Sequence, residues 1–295
     1  MQKDGKERVG VIGLGIIGSR VADRLRDTDR HLYVWSRSPK PVPNFLSSPA
    51  EVARMADIIQ LFVTDGEALI EVMDSMKGEL SKRHTILCSC TADPQSVVDA
   101  YQVAKDAGAS FLDAPFTGSR VAAEKGALTY YVGGDTAALD RARSIFETSS
   151  RDIYHCGRVG EASILKIATN MISGTTMEIL AEAYGVIHAA GIEPRKLSDA
   201  LELNGCRSDL IATKLASVIE SDYEPHFSLK NMFKDAQYGL GLGKSLGLEL
   251  PALSTAASLM FRTMQKEKEN GALDFSVLAK RFQEKSGAGN SGKLK

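Results

Sequence analysis

The stretch Val9-Gly10-Val11-Ile12-Gly13-Leu14-Gly15-Ile16-Ile17-Gly18 decides how the first half of this chain is read. A short apolar run suited to a buried strand passes into glycines spaced GxGxxG, and an amphipathic stretch over 16–26 follows. Each glycine answers a separate demand. Gly13 permits a tight turn, Gly15 lets the backbone approach a pyrophosphate, and Gly18 lets the helix pack against the strand. N–H groups and the helix dipole at the helix start favour the anion. Residues 13–18, with Leu14, Ile16 and Ile17 between the glycines, are therefore the expected phosphate turn of a dinucleotide site.

Outward from this turn, β-branched runs at 8–12, 32–35, 58–63, 85–88 and 110–112 alternate with helical stretches at 16–26, 50–56, 67–76 and 94–107. Two further strands are expected at 129–132 and 151–154, flanking a helix over 136–147. Such alternation predicts βαβ units on a parallel sheet. After about residue 157 strand signals stop. Apolar residues recur at three and four over 162–190, which predicts one long helix ended by Gly191. Further helices are expected over 194–203, 209–220, 229–246 and 251–270. The expectation is an α/β chain: a Rossmann-type, doubly wound domain over 1–158, then an all-α domain over 159–284. The long helix, about 161–190, joins the two, and a Gly/Ser/Lys-rich tail occupies 285–295. A length of 295 residues suits two domains.

Composition removes several functions. The 36 Lys+Arg balance 37 Asp+Glu, so there is no basic excess for a nucleic-acid backbone. Four cysteines, two of them at 88 and 90, form neither a disulfide framework nor a zinc set. His31, His84, His155, His188 and His226 are scattered without HxxxH or HExxH spacing, and no GxSxG elbow occurs, so no metal is expected. The first residues lack the apolar core of a signal peptide, and no apolar run is long enough to span a membrane. A cytoplasmic protein with neither membrane nor nucleic-acid partners is expected.

Two further clusters carry chemistry. The second strand ends in Ser36-Arg37-Ser38, where an NAD-preferring site usually offers Asp or Glu to the ribose hydroxyls. A guanidinium between two hydroxyls suits a 2′-phosphate instead, which favours NADP over NAD. Lys166 and Asn170 stand at i and i+4 on one face of the long helix, among Ile164, Leu165, Ile167 and Ala168. A lysine in such a setting is tunable toward general-acid work, since desolvation lowers its pKa; a snorkelling lysine on an exposed stripe is the alternative.

Together with three more segments, these residues resemble the β-hydroxyacid dehydrogenase family over about 8–285. Asp113-Ala-Pro-Phe-Thr117-Gly118-Ser119 is similar to the family's D-A-P-V-S-G-G loop, and Leu87-Cys-Ser-Cys90-Thr91-Ala-Asp-Pro94 to its M-S-T-V-D-P stretch. Phe227-Ser-Leu-Lys230-Asn-Met-Phe-Lys234-Asp235 looks like its late K-D helix segment. The resemblance implies that Thr117, Gly118 and Ser119 hold a substrate carboxylate. It also implies that Val63, Thr64 and Thr91 lie along the cofactor, that Lys234 reaches over cofactor and substrate, and that Asp235 supports the site. Lys166 would be general acid or base in hydride transfer with NADP(H), with Asn170 orienting the carbonyl.

Gly118-Ser119 followed by basic Arg120 is closer to the glyoxylate/succinic semialdehyde reductase branch, so a small carboxylate-bearing aldehyde or hydroxy acid is the expected substrate; Arg120 would meet a distal carboxylate. Alternatives are 3-hydroxyisobutyrate or tartronate semialdehyde chemistry, imine reduction, and a non-catalytic dinucleotide-binding assembly module. Family resemblance and the long helix imply a homodimer or homotetramer. Two departures stand out: Cys90 replaces the family's usual Ser, and Pro39, Pro41 and Pro43 occupy a segment that is usually helical.

Overall fold

In the computed structural model the described residues are 5–283; the tail expected over 285–295 lies outside them. Strand and helix alternate through β1 (Arg8–Ile12), α1 (Ile16–Arg26), β2 (His31–Trp35), α2 (Pro49–Met55), β3 (Ile58–Leu61), α3 (Gly66–Met76), β4 (Thr85–Cys88), α4 (Pro94–Asp106) and β5 (Ser110–Asp113). Then come β6 (Phe116–Thr117), α5 (Arg120–Glu124), β7 (Leu128–Gly134), α6 (Thr136–Glu147) and β8 (Ser150–Gly157). Helix starts follow local chemistry. Ser48, Asp65, Asp93 and Asp135 accept from the backbone N–H three residues on and so cap α2, α3, α4 and α6.

The sheet order is β2-β1-β3-β4-β5-β7-β6, with β8 beside β7. Pairing is parallel from β2 through β5, as the alternation predicts. It departs from a purely parallel sheet at β7, which runs antiparallel to β5 and β6. A parallel return needs a crossover of a dozen residues or more, usually a full helix. The connection between β5 and β7 holds no full helix, only the two-residue β6 and the five-residue α5, and β7 returns antiparallel to both β5 and β6. A full helix, α6, precedes β8, and there pairing is parallel again. One apolar cluster, with Val9, Val11, Leu25, Tyr130 and Phe146, and a second, with Ile12, Ile59, Met73, Ile86 and Phe111, supply the core.

The proline-marked segment carries no helix. Instead it lies along β2: Val34 N–H donates to Asn44 O (3.0 Å), Leu46 N–H donates to Val34 O (2.8 Å), and Asn44 takes φ 55°. The edge of β2 is thereby covered rather than left open.

The rest is helical: α7 (Glu161–Ala189), α8 (Arg195–Glu202), α9 (Asp209–Glu220), α10 (Leu229–Ser245), α11 (Pro251–Lys266), two 3-10 turns (Lys268–Gly271 and Phe275–Ala279) and α12 (Lys280–Gln283). The helix expected over 251–270 thus breaks after Lys266 into a 3-10 turn. The core here gathers Met177, Leu180, Leu215, Met232, Met260 and Phe275. A buried ion pair, Lys214 Nζ to Asp274 Oδ1 at 2.8 Å, ties α9 to the second 3-10 turn. Packing divides the chain into two units between Lys166 and Ile167, inside α7. No helix among the described residues is long and apolar enough to cross a membrane.

Candidate active site

The strand order reverses between β1 and β3: β2 lies on one side of β1 and β3 on the other. Open α/β sheets bind ligands in the crevice at the carboxyl ends of the strands beside such a switch. A groove opens at that place. Gly13, Leu14 and Gly15 line it from the end of β1, Ser36, Arg37 and Ser38 from the end of β2, and Val63 and Thr64 from the end of β3.

The three glycines serve for different reasons. Gly13 has φ +98°, and a Cβ there would lie 2.2 Å from Phe62 O. At Gly18 a Cβ would meet Gly13 O at 2.0 Å and Phe62 Cβ at 2.9 Å, so its job is helix-to-strand contact, and it does not line the groove. A Cβ at Gly15 would meet nothing within 4 Å, which leaves the backbone open for a close approach. Helix α1 has glycine at its N-cap, no side-chain cap and no acidic residue in its first turn. Its N–H groups are therefore available to an anion, and the residues present fit a dinucleotide pyrophosphate. Ile16 is half exposed at this helix start, while Ile17 packs on the core.

At the far end of the groove Arg37 and Ser38 are exposed. The Ser36 hydroxyl holds the loop itself, donating to Ser38 O at 2.6 Å, so the cluster offers a guanidinium with one outward hydroxyl rather than two. Lys40, unremarked in the sequence, also lines the groove and adds a second cation. The signal was its place three residues after Arg37, masked by the prolines around it.

The loop that follows β5 is held from several sides. Ala114 N–H donates to Cys88 O (2.9 Å), Tyr131 N–H donates to Pro115 O (2.9 Å), and Thr117 pairs with Thr129. Thr117 and Gly118 are exposed, and Gly118 takes φ +132°, a conformation that favours glycine. Ser119 caps the short α5, accepting from Ala122 N–H at 3.3 Å, and Arg120 follows it half-buried. Asp113 is wholly buried. Its carboxylate accepts from Gly160 N–H (3.0 Å), Ser163 N–H (2.9 Å) and Ser163 Oγ–H (2.7 Å). Burial pushes its carboxyl up to about 6, although the hydrogen bonds from Ser163 and Gly160 pull the other way. Sequence reading passed over this role because Gly160 and Ser163 are remote in the chain.

Thr91 lies half-buried after β4, and Cys90 beside it is buried with Sγ 3.4 Å from Cys88 Sγ. Its hydrogen bond with Cys90 and its burial hold the Cys88 thiol well above its ordinary value, which disfavours the thiolate.

On α7, Lys166 is 7% exposed, whereas its neighbours Ile164 and Leu165 are 40% and 39% exposed. The lysine is therefore not on a solvated stripe; the apolar neighbours are. Asn170, one helical turn on, is also buried and donates from Nδ2 to Asp235 Oδ2 at 2.6 Å. Asp235 in turn accepts from Lys234 Nζ at 2.7 Å on its other oxygen. The Lys234 ammonium also sits over the Tyr238 ring, 4.5 Å from its centroid. The K-D segment of α10 and Asn170 of α7 are thus one hydrogen-bonded group. A buried carboxylate with a donor on each oxygen fixes the rotamers of both. Among the described residues no group of three His, Cys, Asp or Glu side chains is placed to hold a metal.

Known proteins resemble this chain in sequence and in fold. Residues 8–157 match the NAD binding domain of 6-phosphogluconate dehydrogenase, and 160–282 match the NAD-binding region of NADP-dependent 3-hydroxyisobutyrate dehydrogenase. A probable mitochondrial 3-hydroxyisobutyrate dehydrogenase of Dictyostelium discoideum is 30% identical over 94% of this chain and 91% of its own. The chloroplastic glyoxylate/succinic semialdehyde reductase 2 of Arabidopsis thaliana is 28% identical over 86% of this chain and 74% of its own. The chain also matches cytokine-like nuclear factor N-PAC of Anopheles gambiae at 28% identity, over 92% of this chain but only 49% of that protein, so it spans about half the length of such relatives. In fold it is similar to 3-hydroxyisobutyrate dehydrogenase of Mycobacterium tuberculosis, with a TM-score of 0.86 at 22% identity over 94% of this chain and 99% of that one. Fold, groove and both sequence matches therefore converge: the chain belongs to the 3-hydroxyisobutyrate dehydrogenase-like β-hydroxyacid dehydrogenases, NAD(P)-binding oxidoreductases that act on hydroxyl or aldehyde groups.

Proposed function

We propose that the protein reduces a short aldehyde acid of the glyoxylate or succinic semialdehyde type to its hydroxy acid, with NADP(H) as cofactor. The observation that carries this reading is a buried lysine on α7 one turn from an asparagine locked by Asp235. Lys166 donates a proton to the developing alkoxide and takes it back in the oxidative direction. Asn170, with its amide held by Asp235, orients the carbonyl oxygen. Thr117, Gly118 and Ser119 bind the carboxylate through hydroxyl and backbone N–H groups, which turns a loose encounter into an aligned one. Arg120 meets a distal carboxylate where the acid has one. Lys234 screens the negative charge of cofactor and substrate. Thr91 borders the nicotinamide, and the bound reduced cofactor supplies the hydride. Arg37, helped by Ser38 and Lys40, takes the 2′-phosphate that distinguishes NADP from NAD. The 28%-identical semialdehyde reductase supports the substrate class.

In the test, NADPH oxidation is followed with glyoxylate, succinic semialdehyde, tartronate semialdehyde and methylmalonate semialdehyde, with NADH as control. Turnover is expected on at least one of the first two, and Lys166→Ala should lower kcat by about 10²- to 10⁴-fold. No turnover on any of the four, or a Lys166→Ala enzyme within a fewfold of wild type, would reject this reading.

We also propose a homo-oligomer in the cytoplasm. On the second unit Ile172, Ile179 and Val186 recur every seven residues along α7 at 67%, 60% and 68% exposure, a stripe that another subunit would cover. All four cysteines are free thiols, which suits a reducing compartment.

A further inference from the structure

Asp113 belongs to two parts of the proposed site at once. Its backbone closes β5, paired in register with Cys88 on β4 and Gly133 on β7, and the loop read as the carboxylate holder begins at the next residue. Its side chain leaves the strand and takes over the start of α7. One oxygen accepts from Gly160 N–H and Ser163 N–H, and the other from the Ser163 hydroxyl, all at 3.0 Å or less. Helices α2, α3, α4 and α6 of this unit are capped by the side chain of the residue just ahead of them, and α1 has no side-chain cap. At that place α7 has Gly160, with φ +93°, and takes its cap from 47 residues away. A second contact closes the same junction. A Cβ on Gly133 would lie 2.3 Å from Arg158 O, so the backbone of β7 touches the segment leading into α7. Lys166 follows Ser163 by three residues, and within a helix that offset fixes both height and rotation.

We propose that Asp113 is a positioning residue: its carboxylate sets the register of the first turns of α7 against the end of β5, and so places Lys166 relative to the substrate loop that starts at Ala114. This rests on the reading of Lys166 as proton donor and adds to it the element that aims it. A buried carboxylate is costly to keep ionised, and a nearby Ser or Asp would cap a helix with less burial. A remote cap does what a local one does not, because it ties two segments of the site to one side chain.

The test compares wild type with Asp113→Ala, Asp113→Asn and Ser163→Ala. An amide can keep the geometry: its oxygen accepts both N–H groups, and its NH2 donates to a rotated Ser163 hydroxyl. Each variant is measured for melting temperature, NADPH affinity, and kcat and KM with the best aldehyde acid. Acylation of Lys166 by an amine reagent is followed across pH by peptide mass spectrometry. Asp113→Ala should bind NADPH within about twofold of wild type and lose about 10- to 100-fold in kcat, as a misplacement near 1 Å does. Asp113→Asn should recover most of that loss, and Ser163→Ala should fall between. Lys166 labelling should change in Asp113→Ala and return in Asp113→Asn, while Lys125 labels equally in all.

A kcat within twofold of wild type in Asp113→Ala overturns the proposal, as does an Asn variant that falls as far as the Ala variant. If Asp113→Ala does not fold, Ser163→Ala and Asp113→Asn decide by the same criteria. If wild type turns over no aldehyde acid, the functional reading fails separately. Lys166 labelling then decides alone, and an unchanged labelling profile overturns the positioning role.

Discussion

The proposed preference for NADP rests on a single residue at one strand end, Arg37. It stands where a ribose-binding carboxylate would stand, it is exposed to the groove, and Lys40 lines the same groove. A guanidinium there attracts a 2′-phosphate, and a carboxylate there would repel one. Arg37→Asp should therefore lower kcat/KM for NADPH by about 10- to 100-fold, the range of one or two charge-assisted hydrogen bonds, and bring NADH to parity or better. Steady-state kinetics with both cofactors checks this, and unchanged selectivity would remove Arg37 from the cofactor site. Lys40→Ala should move selectivity the same way by a smaller factor.

At the scale of the element, the strand–turn–helix unit β1–α1 separates folding from binding within a single motif. Gly18 is pinned by Gly13 O and Phe62, whereas the space beside Gly15 is open. Gly18→Ala should cost about 1–3 kcal/mol of stability by overpacking, visible as a lower denaturation midpoint without cofactor. Gly15→Ala should leave that midpoint within about 0.5 kcal/mol and yet weaken NADPH binding at least tenfold, read by cofactor fluorescence. The same pair of substitutions shows how far sequence reading reached here. Glycine spacing gave a tight turn at Gly13, a close approach at Gly15 and helix-to-strand packing at Gly18. It did not tell that Phe62 is the residue that crowds both Gly13 and Gly18, because Phe62 follows the neighbouring strand β3.

At the scale of the whole molecule, two properties follow from groups that no single element contains. Stability against pH is one. The Asp113 carboxyl is pushed up to about 6 in the fold, against about 4 in an unfolded chain. Between these values the folded state holds more protons than the unfolded state, so this group's contribution is present in acid and lost as pH rises toward 6. Asp113→Asn removes that dependence. Relative to wild type the variant should gain on the order of 2 kcal/mol in passing from pH 4 to pH 7. Urea unfolding followed by Trp35, the single tryptophan and a residue of the same unit, measures it; a constant difference between the two proteins would contradict the assignment. Assembly is the other property. Ile172→Glu with Ile179→Glu places charges in the exposed stripe of α7 and should yield monomers by sedimentation at micromolar concentration. An unchanged mass would clear this face of any role in assembly.

Local patterns determined much about this protein by themselves. The glycine turn, the β-branched runs and the period of α7 each act over a few residues, so they can be read in order along the chain. That was enough for the fold class; it also made residues 13–18 the candidate phosphate turn, while Lys166 and Asn170 became candidates through their i, i+4 spacing together with the family resemblance. Only the tertiary structure decided the rest. It turned β7 antiparallel to β5 and β6, with no full helix in the connection between them. It laid the proline segment along β2, brought Lys40 into the groove, and buried Lys166 while exposing Ile164 and Leu165. It also joined Asn170 to Asp235 across 65 residues and Asp113 to Ser163 across 50. Hydrogen bonds between remote residues leave no periodic trace in a sequence, because their partners are chosen by packing and not by spacing.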